Sequence, residues 1–276
     1  MADEEFVTVK AFLPTIPLPA NSERPTITTD RLLLRPLQPT DLDALHVMRT
    51  QEEVMKWTRV GCIDESIEVT KSKLDPFLPP NDLITANCAI CLKETGELIG
   101  VGGCHLYPGA HGWPEIGYML RTEAWGKGIA TEFLSAWLQF WSGLPRTERE
   151  VRVQKEMVSG EGVVDEHLIA ITEASNSGSQ GVLLKCGFER FHQFVEVDDT
   201  KTVDVVAFRF FPKRVDLTIQ TLRPSDHIIA GLRAAHAFKF APAFSRALAE
   251  LVIDWKSTKD LSKFGIPKNA TSTSKL

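Results

Sequence analysis

The chain has 276 residues, 43% hydrophobic and 24% charged, with a formal net charge of -5. That is ample for a buried core, and an acidic balance without long charge runs excludes the basic face of a dedicated nucleic-acid binder. No apolar stretch reaches bilayer-spanning length, five scattered cysteines make no disulfide framework, and the acidic start MADEEFVTVK is unlike a secretory or mitochondrial leader.

Residues 1–26, rich in proline and polar residues, read as an irregular lead-in. From Ile27, ITTDRLLLRPL predicts a strand stopped by Pro36 and Pro39. Thr40 or Asp41 caps a short helix carrying Leu42, Leu45, Val47 and Met48, and QEEVMKW continues helically. A second helical stretch over 64–78 runs into Pro79. NDLITANCAICLK and ELIGVGGCHLY predict a hairpin around a turn at 94–96. Within it Cys88 and Cys91 form a CxxC, but strand alternation sends these thiols to opposite faces, and no second ligand pair is in view. No metal site is expected.

A loop at 108–114 precedes the strand EIGYMLR. The helix that starts at Gly128 carries Ile129, Phe133, Leu134, Trp137, Leu138 and Trp141 on one face. The charged stretch 145–166 interrupts the pattern and reads as a loop or surface excursion. The strand HLIAITEA, the short helix SQGVLLKCG and the strands RFHQFVEV and TVDVVAFRFF close a domain over 27–212. Strand–helix alternation with a hairpin at each end predicts a mixed α/β sheet. Residues 213–265 read as a helical extension, with Pro242 opening an amphipathic helix that covers the groove, pairs two subunits in an oligomer or packs on the sheet. The polar tail 266–276 ends in Ser274, Lys275 and Leu276, an S-K-L address for the peroxisomal import receptor. A soluble peroxisomal matrix location is therefore expected, with the cytoplasm as alternative.

The densest signal is AWGKGIATEF, where Gly126, Lys127 and Gly128 stand at a helix entry although glycine is costly to order there. A P-loop fails, because Arg121 stands where its first glycine belongs and Gly128 where Ser or Thr must follow the lysine. A dinucleotide fingerprint lacks its third glycine at Thr131. A plain strand-to-helix turn and an anion cradle remain. In the cradle, free helix N-terminal amides and the helix dipole face a phosphate, with no Cβ in the way.

EIGYMLRTEAWGKGIATEF resembles the signature of the GNAT superfamily of N-acetyltransferases, in particular its ribosomal-protein-alanine acetyltransferase-like (RimJ/RimL-type) branch. A second block supports the likeness: Asn176 and Ser179, then Lys185, Gly187 and Phe188, match the family's downstream cofactor motif. The opening TTDRLLLRPLQPTDLDAL is also similar to how such domains begin. The resemblance implies an α+β fold, a twisted and mostly antiparallel sheet whose fourth and fifth strands splay into a V that holds acetyl-CoA. It implies that the amides of Gly126, Lys127, Gly128, Ile129 and Ala130 hold the CoA pyrophosphate. The 118–120 backbone, including Met119 and Leu120, would pair with pantetheine, and Asn176 and Ser179 would lie along the thiol end. Trp125 departs from the Gln or Arg many members carry, so affinity is expected to rest on backbone amides and Lys127.

Acyl transfer to an amine needs a base, since free amines are mostly protonated near neutral pH. Glu115, on one strand face with Gly117 and Met119, is the first candidate, and a solvated strand-end glutamate is its bland alternative. Glu173, near Asn176, is second and His105 third. Many relatives place a tyrosine beyond the Asn motif to protonate the departing thiolate. The two tyrosines here, Tyr107 and Tyr118, do not lie there, and Ser179 is the substitute donor or else an ordinary helix cap. Cys186 reads as a small core residue, and no pairing points to a covalent acyl-enzyme. The leading expectation is N-acetyl transfer from acetyl-CoA to a small-molecule or protein amine. A non-catalytic acyl-CoA-binding or scaffold protein, and O-acetyl transfer, are the alternatives.

Overall fold

Wherever the apolar period is clean, the chain folds as that period dictates. The computed structural model describes residues 6–109, 111–158, 162–197 and 202–212. Strand β1 (Phe6–Pro14) is followed by the short β2 (Ile27–Thr28) and by β3 (Leu32–Pro36), then by α1 (Leu42–Arg49), the single turn α2 (Glu52–Met55) and α3 (Ile67–Leu74). The hairpin β4 (Ala86–Leu92) and β5 (Leu98–Leu106) leads to β6 (Glu115–Leu120) and α4 (Ile129–Ser142). Next come β7 (Arg146–Gln154), β8 (Val163–Val164), β9 (Leu168–Glu173), α5 (Ser177–Lys185), β10 (Glu189–Val197) and β11 (Thr202–Phe210). The expected extension at 213–265 and the tail with its S-K-L tripeptide lie outside the described residues.

Among the described residues, eight strands form one sheet in the order β10-β11-β9-β6-β5-β4-β3-β2. All neighbours are antiparallel except β6 and β9. The apolar face of α4 covers one side, where Phe133, Leu134, Trp137 and Trp141 are buried with Leu32, Leu34, Ile90 and Ile116. On the other side α1 and α3 bury Leu45, Met48 and Leu74 against Ala89, Cys91 and Val101. Cys88 packs with the first cluster and Cys91 belongs to the second, so alternation does separate the two thiols. Burial pushes the Cys88 thiol up to about 12, which disfavours the reactive thiolate.

A second sheet, in the order β7-β1-β8, corrects two expectations. Residues 1–26 are not an irregular lead-in throughout, and 145–166 is not a loop excursion: the two stretches pair with each other. β1 and β7 run antiparallel from Phe6↔Gln154 to Pro14↔Arg146, and β8 joins β1 in parallel. Arg149, on the same face as Val151 and Val153 and set against Tyr107, hides the alternation of β7, while Val151 and Val153 turn inward with Ala11 and Leu13 onto Trp113, Met157 and Ile169. Outside, Lys10 meets Glu148 at 3.6 Å. The buried Glu166 ties this region to α4, accepting from Trp141 Nε1 at 2.8 Å and pairing with Arg146 at 2.6 Å.

β6 and β9 share a single ladder pair, Glu115↔Ile169, beside which the Ile169 N–H donates to the Pro114 C=O at 2.9 Å. Past that point they part. The expected V-shaped splay lies here, and it is what positions the site.

Candidate active site

The splay opens into a cavity of about 1080 Å³, lined by β6, the start of α4, the end of β9 and the start of α5. Register decides what β6 offers it. Gly100 faces Leu120 and Gly102 faces Tyr118, while the Arg121 N–H donates to the Ile99 C=O at 2.8 Å. In an antiparallel ladder, hydrogen-bonded and open positions alternate. The main chain of Met119 therefore turns to β5, and that of Tyr118 and Leu120 turns to the cavity. The Leu120 C=O is taken by Trp125 Nε1 at 2.8 Å, which draws that indole toward the strand end. Met119 contributes its side chain to the lining instead.

At the far end of β6 stand the two glycines. Gly126 has φ +70 and Gly128 φ +75, a left-handed conformation that side chains resist, and among the described residues a Cβ on Gly126 would meet nothing within 4 Å. Glycine is thus demanded by the backbone of the turn, and no described residue fills the space in front of Gly126. Gly128 is the N-cap of α4 with no side chain capping it. The Glu132 N–H is the first to reach back, to the Gly128 C=O at 3.1 Å, so the preceding amides at Ile129, Ala130 and Thr131 have no intrahelical acceptor. Ile129 and Ala130 both line the cavity, although Ile129 is almost wholly buried. Lys127 is exposed and its side chain stands outside the cavity lining.

At the narrow end, the structure brings two of the three candidate bases together. β5 shifts register between Cys104 and Leu106, leaving His105 as the extra residue of a bulge. Bulges re-aim side chains, and this one lays the imidazole over Gly117, where a Cβ would lie 3.0 Å from the ring. His105 Nε2 stands 3.5 Å from Glu115 Oε1, while Nδ1 is buried without a hydrogen-bond partner among the described residues. Glu173, at the end of β9, lines the same cavity on its other wall.

The start of α5 separates two roles that the sequence left open. Asn176 is the N-cap, its side chain accepting from the Ser179 N–H at 3.0 Å. Ser179 is therefore not the cap, and its hydroxyl is 3.1 Å from the Tyr118 hydroxyl, which also approaches the Ser179 C=O at 3.3 Å. Tyr118 rests on Phe133 of α4, and burial pushes its phenol up to about 12, so it stays protonated and can donate. Sequence reasoning looked for a tyrosine on the α5 side and missed one arriving from β6. It also left His105 and Glu115 unpaired, because no sequence pattern marks the bulge that joins them.

Comparison with known proteins agrees with this architecture. Residues 31–189 match the model of the acetyltransferase (GNAT) domain. The chain is 32% identical over 136 residues to the uncharacterized N-acetyltransferase p20 of Bacillus licheniformis, covering 48% of this chain and 74% of that one. It is 28% identical over 167 residues to the uncharacterized N-acetyltransferase YoaA of Bacillus subtilis (strain 168), covering 60% and 84%. The solved structure of RimL, a ribosomal L7/L12 alpha-N-protein acetyltransferase in complex with coenzyme A, superposes with a TM-score of 0.54 at 16% identity over 68% of this chain and 98% of that one. With the domain model spanning more than half its length, the wedge and glycine turn included, this chain belongs to the GNAT acetyltransferase family.

Proposed function

We propose that the protein moves the acetyl group of acetyl-CoA to a primary amine, small-molecule or protein-borne, by direct attack within a ternary complex. The observation that carries this reading is the single Glu115↔Ile169 pair. It leaves an open strand wall with an amide-rich turn at one end and a carboxylate–imidazole pair at the other. The residues present fit the donor: the bare turn at Gly126 has room for a pyrophosphate, and Tyr118 and Leu120 have main-chain groups turned toward a pantetheine arm. The structural neighbour RimL carries coenzyme A, which supports the same choice.

Acetyl-CoA supplies an activated thioester, and the chain must supply geometry and proton traffic. Free amines arrive mostly as ammonium, with reference values near ~8 for α-amines and ~10.4 for lysine. Glu115, oriented by His105, takes that proton directly or through one water. The freed nitrogen forms its bond to the carbonyl carbon as the carbon–sulfur bond breaks. The nitrogen's second proton passes through solvent to the departing sulfur, to which the Ser179 hydroxyl donates a hydrogen bond. Base assistance is worth about 10²–10⁴-fold, and holding amine and thioester together contributes roughly 7–11 kcal/mol. Thiol release from acetyl-CoA across a panel of amines tests the reading. Glu115→Gln is expected to lower kcat at least about tenfold, within the usual range for losing a base, while calorimetry finds coenzyme A affinity nearly unchanged. Undiminished turnover would move the base to Glu173. Wild-type protein that releases no thiol with any amine would overturn amine acetylation.

A further inference from the structure

The first turn of α4 holds a group that works against an anion site. Glu132 lies four residues past Gly128, and a carboxylate beside a phosphate-binding turn repels its ligand. The chain answers it from a hundred residues away. Glu132 accepts from Thr29 Oγ1 at 2.5 Å, from the Arg31 N–H at 2.9 Å and from Arg31 Nε at 2.7 Å, and its Oε2 forms an ion pair with Arg31 Nη2 at 2.7 Å. The same guanidinium sends Nη1 to the Lys127 C=O at 2.8 Å, and its Nη2 stands 3.6 Å from where a Cβ of Gly128 would be. The Arg31 side chain is 49% exposed and that of Glu132 18%, so the fork reaches inward from the surface. Partial burial works to raise the Glu132 carboxyl, but the hydrogen bonds from Thr29 and Arg31 outweigh it and hold the group below its ordinary range. The carboxylate form, which keeps the fork engaged, is thereby favoured.

We propose that Arg31 is a positioning residue for the donor's phosphates: by spanning the Lys127 carbonyl and Glu132, it holds the glycine turn with its amides presented and cancels the neighbouring negative charge. The proposal rests on the reading of that turn as the coenzyme A cradle. The physical need for a clamp comes from the sequence. Glycine has the most conformational freedom to lose on ordering, and a turn not already ordered must be ordered at the cost of affinity. The indole of Trp125 ties the start of the turn to the Leu120 C=O, and the Lys127 side chain is exposed, so the Lys127 carbonyl is left to Arg31. A planar fork reaching two acceptors at once is something arginine does and lysine does not.

The effect should appear only with donors that carry phosphates, so full-length variants are assayed with acetyl-CoA and with S-acetylpantetheine, which ends before them. Arg31→Ala is expected to weaken coenzyme A binding tenfold or more and to raise KM for acetyl-CoA with kcat kept. Its kcat/KM for S-acetylpantetheine should move less than twofold. Arg31→Lys should recover little. Glu132→Ala decides between clamp and simple charge: removing a negative charge near an anion would tighten binding, whereas losing the clamp loosens it. The double variant should be no worse than Arg31→Ala alone. Equal losses with both donors, a lowered melting temperature with unchanged coenzyme A affinity, or tighter binding by Glu132→Ala would each overturn the proposal. Wild-type protein that binds no coenzyme A would instead remove the cradle itself.

Discussion

Ser179 owes its availability to Asn176. One side chain at the start of α5 accepts the capping bond, and the other keeps a hydroxyl that meets Tyr118 at 3.1 Å. The two residues should separate by experiment. Asn176→Ala removes a cap and is expected to cost about 1 kcal/mol of stability, read by urea unfolding. Ser179→Ala leaves the cap intact and should unfold at nearly the wild-type urea concentration, yet lose about tenfold or more in kcat if the hydroxyl serves the departing sulfur. A kcat unchanged in Ser179→Ala would hand that role to Tyr118, and Tyr118→Phe would then show the loss. At this scale the sequence was informative about identity and silent about partners. Glu115, Ser179 and the glycine turn, which line one cavity, were each legible as candidates, because strand alternation, motif spacing and glycine's cost are local properties. The His105–Glu115 contact depends on one extra residue in β5, and a register shift leaves no mark in composition.

The element that sequence reasoning described least well is the one a core substitution can test. Alternation in β7 is masked by Arg149, and the strand becomes recognisable only beside its partner, β1. By contrast α4 was read correctly from its apolar face, since one long helix carries its own evidence in period and length. If β1 were an unstructured lead-in, changing an apolar residue in it would matter little. Leu13 is 1% exposed, packed among Ala11, Trp113 and Ile169. Leu13→Ala should therefore cost about 2–4 kcal/mol by the usual transfer and cavity terms. Equilibrium unfolding in urea measures it, and a change below ~0.5 kcal/mol would mean that the small sheet contributes nothing to the core.

Stability across the described fold has a pH dependence centred where the two sheets meet. His167, 7% exposed, opens the approach to β9, with its ring 4.8 Å from that of Trp113 and 4.8 Å from that of Phe211. Burial, reinforced by the nearby Arg209 charge and only partly opposed by Asp165 and Glu189, lowers its pKa from 6.5 to about 4. The folded protein thus holds His167 neutral over a range in which the unfolded chain takes up a proton. Unfolded chains then bind more protons, so stability is complete above pH 6.5 and falls as pH drops toward 4. The slope approaches ~1.4 kcal/mol per pH unit, for a total of about 3 kcal/mol. Asp64 and Glu132 act lower. Burial tends to raise both, but hydrogen bonds from Arg49 and Thr70, and from Thr29 and Arg31, hold them below the ordinary carboxylate range. Their contribution is present above the unfolded carboxylate value near ~4 and is lost only as pH falls through the folded one. Urea midpoints at pH 7, 6 and 5 therefore fall within the His167 window and above that of these two carboxylates. A downward trend in the wild type that flattens in His167→Gln is the expected result. An equally steep trend in His167→Gln would locate the proton uptake elsewhere, and a flat wild type would mean that water reaches this ring and that the seam between the sheets is looser than its packing indicates.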